Sequence, residues 1–83
     1  MRRTVRVFVS TPAVVAVDAW DELATAVNAV DMGCADSEAM VEVSVIGATP
    51  GWCVHDAVWI VSKAIGQIPA LRSNAYVSEQ EMR

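Results

Sequence analysis

The clearest pattern in the chain is an alternation over Met40–Ile46, where Val41, Val43 and Val45 share one side while Glu42 and Ser44 take the other. A period of two in β-branched residues predicts a strand with one face on a core and one toward water, and Gly47 closes it. The same period runs through Thr4–Ser10. Val5, Val7 and Val9 fall on one side, and Thr4, Arg6 and Ser10 on the other, with Phe8 among the polar set. Arg2 and Arg6 then share a face and Arg3 takes the opposite one, so the three arginines make no single patch.

Ser10-Thr11-Pro12 breaks the first strand, and two continuations compete. Thr11 can cap a long helix with Pro12 at its first position. Alternatively Thr11-Pro12 is a turn, and Ala13–Val17 returns as a hairpin strand. The run Val14-Val15-Ala16-Val17 favours the strand by propensity, and Asp18 is the better helix cap. From Asp18 the spacing becomes helical, with Trp20, Leu23, Ala24, Val27 and Val30 on one stripe and Asp21, Glu22, Thr25 and Asn28 on the other. A helix is predicted over about 19–32, stopped by Gly33, and Cys34–Glu38 reads as a connection. After a turn at Ala48–Gly51, Val54, Val58, Val61, Ile65 and Ile68 recur at spacings of four and three. That predicts a second helix over about 54–66, ended by Gly66 and Pro69. Ala75-Tyr76-Val77 suits a short edge strand, and residues 78–83 are expected to fray.

The elements add up to one α+β domain over residues 1–83, a small two-layer sandwich of three to four strands covered by two helices. Strand order and direction are not fixed by the pattern. A hydrophobic share of 54% with three tryptophans in 83 residues is more apolar surface than so short a chain readily hides. The surplus predicts self-association, with a homodimer the simplest form.

Charge narrows the partner. A net charge of −4 argues against direct nucleic-acid binding through phosphates. No apolar run approaches the roughly 18 residues of a membrane span, and the start Met1-Arg2-Arg3 leads into no apolar leader segment. Two cysteines without a CxxC spacing read as reduced thiols of a cytoplasmic protein. Seven carboxylates (Asp18, Asp21, Glu22, Asp31, Asp36, Glu38 and Glu42) fall in residues 18–42, which hold no Lys or Arg. The plain account is a solvated face. The functional one is a negative surface for a basic partner, with Asp18, Asp21, Glu22, Glu42 and the turn residue Trp52 as candidate contacts.

Catalytic sets are incomplete. Cys53 and His55 stand two residues apart beside the 49–52 turn, as a nucleophile and its base would, but on a helix they diverge by about 200°. A third orienting group is missing. Cys34, Cys53, His55 and Asp36 lack the paired ligand spacing of a zinc site, so neither metal nor cofactor is expected. Gly47-Ala48-Thr49-Pro50-Gly51 lies between strand and helix but lacks the Gly-Lys-Ser/Thr ending of a phosphate loop. The sequence therefore points to a non-catalytic protein that binds a macromolecular partner. One form of this is a phage- or mobile-element-type inhibitor of a host nucleic-acid-binding complex, anti-CRISPR-like in mode. The alternative is a small enzyme or ligand-binding domain using Cys53 and His55.

Overall fold

The computed structural model describes residues 2–82. The chain runs β1 (Arg2–Ser10), α1 (Val17–Ala26), β2 (Asp31–Cys34), β3 (Glu38–Ile46), α2 (Pro50–Gln67) and β4 (Tyr76–Met82). The strands form one antiparallel sheet in the order β2-β3-β1-β4. Each helix thus links two strands that are separated by a third, which is the split-βαβ, ferredoxin-like topology. The α+β reading holds, with both helices on one side of the sheet. The topology carries no function of its own.

The alternation in β1 and β3 is realised residue by residue. Val5 pairs with Val43, Val7 with Val41 and Val9 with Ala39, and all of these are buried. Trp20 and Leu23 of α1 and Cys53, Ala57, Val61, Ala64 and Ile65 of α2 close over them in one core. In α2 the contact stripe is rotated from the one that the large aliphatic residues suggest. Val54 and Val58 are only half-buried, while Cys53, Ala57 and Ala64 face the sheet. Small side chains let the helix approach closely, so Cys53, Ala57 and Ala64 share its inner line with Val61 and Ile65.

The start of α2 is locally determined. Thr49 is its N-cap, accepting from the backbone N–H of Trp52 at 3.2 Å, and Pro50 occupies the first helical turn, where its missing donor costs nothing. Gly47 just upstream is closely approached by the start of α2. A Cβ there would lie 3.0 Å from Cys53 Sγ and 3.1 Å from Cys53 N.

Several expectations are corrected. Ala13–Val17 is not a hairpin strand, and Thr11 does not cap a long helix. Thr11 is buried, and its hydroxyl donates to the carbonyls of Ala13 (2.6 Å) and Ser37 (3.2 Å), while Val15 N–H donates to Asp36 O. These bonds hold 11–16 as a connection pinned to the turn after β2, and helix begins at Val17 with Ala16 at the cap and no side-chain cap bond. The first helix stops well short of residue 32. Val27 is its C-cap and Asn28 turns left-handed at φ 53°, a conformation asparagine tolerates. The chain then re-enters the sheet as β2, so Gly33 is a strand residue and not a helix stop. The expected frayed end is also ordered through Met82. Residues 78–82 continue β4 along β1, with a bulge opposite Phe8/Val9 where the Ser78 hydroxyl donates to Phe8 O. Arg83 lies outside the described residues.

Candidate functional site

The five residues expected to form a contact surface do not come together. Asp18, Asp21 and Glu22 are exposed on α1, and Trp52 is exposed at the start of α2. Glu42 projects from the other side of the sheet, as the alternation of β3 requires, and is only 3% exposed. It occupies the middle of the sheet, with Arg6 of β1 on one side and Asp31 of β2 on the other. Arg6 Nε lies 3.8 Å from Glu42 Oε2, an ion-pair distance beyond hydrogen-bond range. A buried carboxylate beside a partly covered guanidinium serves as a structural pair.

Cys53 and His55 diverge as helical spacing dictates. Cys53 is fully buried against Gly47 and the core. His55 is exposed, edge-on to the Trp52 ring at 5.3 Å between centroids, with Nδ1 3.7 Å from Asp56 Oδ1. The shallow depression of about 280 Å³ at this point is lined by Thr49, Gly51, Trp52 and His55, and Cys53 does not reach it. Among the described residues no group of three or more His, Cys, Asp and Glu side chains is placed to hold a metal ion. No helix of the described residues is long and apolar enough to cross a membrane.

The helix-free face of the sheet has a different character. Cross-strand pairing puts Asp31, Glu42, Arg6 and Glu81 in one row across the four strands, and Gly33, Met40, Phe8 and Glu79 in the next. Glu38, Ser10 and Tyr76 make a third row toward the end of the sheet. Thr4 pairs with Ser44 and Arg2 with Ile46 at the opposite end. The face therefore holds five carboxylates (Asp31, Glu38, Glu42, Glu79, Glu81) against Arg2 and Arg6, interleaved with Phe8, Met40, Tyr76 and Ile46.

A concavity on this face sits over a residue without a side chain. A Cβ at Gly33 would meet nothing within 4 Å. The space above it is a cavity of about 250 Å³ lined by Phe8, Gly33, Cys34, Ala35, Glu38, Ala39 and Met40. This gives an apolar floor of Phe8 and Met40, both half-buried, with Glu38 among the lining residues.

Sequence reasoning missed most of this face. The polar run 78–83 reads as a frayed tail, which hides Glu79 and Glu81, and Gly33 reads as a helix stop. Two signals pointed to the face: Phe8 in the polar register of β1, and Met40 in line with Glu38 and Glu42 on β3. No protein-family model, no curated protein and no solved structure matches this chain.

Proposed function

We propose that the protein is a non-catalytic binding module whose helix-free sheet face takes a macromolecular partner with a basic surface. The observation that carries this reading is the composition of that face: carboxylates from β2, β3 and β4 around an apolar centre at Phe8 and Met40. Carboxylates steer and orient a cationic surface, and the apolar centre supplies the area that charge alone does not. The cavity over Gly33 suits a lysine or arginine of the partner. Its aliphatic stem lies along Phe8 and Met40 while its head reaches Glu38.

Action follows from occupancy. A basic surface that binds nucleic acid is closed to it while an acidic domain sits there, so inhibition of a nucleic-acid-binding complex, of the kind a phage or mobile element would employ, is the form we favour. The two free thiols, Cys34 exposed and Cys53 buried, suit the reducing cytoplasm. The separation of Cys53 from His55 supports the non-catalytic side of the reading.

The test is a parallel capture. Wild type, a face variant (Glu38→Gln, Glu79→Gln, Glu81→Gln) and a helix variant (Asp18→Asn, Asp21→Asn, Glu22→Gln) are immobilised and washed with rising salt. One stoichiometric partner held by wild type and by the helix variant, but lost from the face variant at lower salt, is the expected result. Equal retention by all three, or loss only from the helix variant, contradicts it.

A further inference from the structure

β2 covers β3 only from Ala39 to Glu42, so among the described residues the outer edge of β3 from Val43 to Ile46 has no strand beside it. The direction of the backbone groups there is fixed by their neighbours. Glu38 O accepts from Ala35 N–H at 2.8 Å and Glu42 O from Val30 N–H at 2.7 Å, both on the β2 side. Alternation along an antiparallel strand then turns the N–H and C=O of Ser44 and Ile46 to that same side, away from β1. The outer edge of β4 is different, since it carries a bulge and the charges of Glu79 and Glu81, the usual defences of an unpaired edge. Ser44–Ile46 has no charge, proline or bulge.

A groove runs beside this edge. Ser44, Val45 and Ile46 form one wall and Asp56, Trp59 and Ile60 of α2 the other, enclosing about 400 Å³. Trp59 is 58% exposed on the groove side, while the Ile46 side chain, 68% exposed, projects on the helix-free side of the edge. Lys63 Nζ sits 4.9 Å from the centre of the Trp59 ring, which puts a positive charge on the same helix face as Asp56. The helix therefore presents, in order, a carboxylate at 56, apolar surface at 59 and 60, and an ammonium at 63. This order is complementary to its own reverse. Against an antiparallel copy, Asp56 faces Lys63 with the apolar pair between them.

We infer that a second copy of this chain docks at this edge, with β3 pairing antiparallel to β3 and α2 lying antiparallel to α2 about one two-fold axis. At Val45 the axis lets Ser44 and Ile46 of one copy exchange both backbone bonds with Ile46 and Ser44 of the other. The same axis, passing level with Trp59 and Ile60, sets Asp56 of each copy against Lys63 of the other. Such an interface is isologous and closes, so it ends at a dimer. A standard interface hides about 800 Å² per partner, roughly a sixth of the 4796 Å² surface of this chain. It leaves the helix-free face uncovered, so the dimer does not rest on the partner reading and the two fail separately.

Sedimentation over a micromolar concentration series decides it. Wild type is expected to dimerise. Asp56→Lys and Lys63→Asp, each replacing two attractions with two repulsions, are expected to raise the dissociation constant by about tenfold. The double swap of Asp56→Lys with Lys63→Asp returns it close to wild type. Ser44→Pro, which removes an outward donor and no bond to β1, yields monomer with an unchanged circular dichroism spectrum. A wild type that stays monomeric throughout overturns the inference. So does a dimer indifferent to the single reversals, or one that the double swap fails to restore.

Discussion

On the covered face of the sheet the cross-strand pairs are Val5 with Val43, Val7 with Val41 and Val9 with Ala39. One residue along each strand, on the helix-free face, they are Arg6 with Glu42 and Phe8 with Met40. The two faces share every backbone hydrogen bond and differ only in side chains. The middle of the covered face is a run of small apolar pairs, with Arg3 and Gln80 at its margins, which suits a surface that helices must lie on. The other mixes charges, an aromatic ring, a thioether and the gap over Gly33, a combination that packing does not require. Substitutions on the first should therefore register in stability, and those on the second in binding.

The largest effect is expected at Trp20, which is fully buried where α1 meets the sheet. Trp20→Ala should destabilise by about 3–5 kcal/mol, enough to leave a domain of this size largely unfolded, as denaturant titration would show. Arg6→Ala tests the point where the two faces are least distinct, since it removes the guanidinium beside the Glu42 carboxylate, which is 3% exposed. A loss of about 1–2 kcal/mol is expected, less than for a fully buried pair because Arg6 is a third open to water. Arg6→Ala combined with Glu42→Leu should recover most of that loss, whereas no recovery would mean that Arg6 contributes by packing. Thr49→Ala removes the cap bond to Trp52 and should cost about 1 kcal/mol in thermal unfolding, acting on the helical layer alone. The smallest effect on stability is expected for Glu79→Gln with Glu81→Gln, within about 0.5 kcal/mol by the same assay. If that pair proves as costly as Arg6→Ala, the division of labour between the faces is wrong.

How much of this was legible in the sequence depended on element length. β1 and β3 announce themselves by alternation over Thr4–Ser10 and Met40–Ile46, and α2 by helical spacing from Val54, while its first turn from Pro50 looks like part of the turn before it. β2 has four residues with Met32 as its one large apolar side chain, too little for a period to emerge, and the left-handed Asn28 that precedes it is a poor signal beside Gly33. β4 is polar because only one of its faces meets the core, and its bulge shifts even that alternation. Ala13–Val17 misled because β-branched residues favour a strand only where a neighbouring strand exists, and here the nearest backbone is the turn at Asp36 and Ser37. The acidic excess was visible as a stretch of sequence. Its spatial grouping was not, since Glu79 and Glu81 reach Asp31 and Glu42 only through a strand order that no local pattern encodes.

The central claim is that the acidic, helix-free face and not the acidic helix receives a basic partner. The most direct test is to titrate isotope-labelled protein with an arginine-rich peptide and follow every backbone amide by NMR. Shifts concentrated at Phe8, Gly33, Met40, Glu79 and Glu81, shrinking as salt rises past the range where the Debye length is about 8 Å, are the predicted result. Shifts that instead follow Asp18, Asp21 and Glu22 along α1, with the sheet face silent, would contradict it.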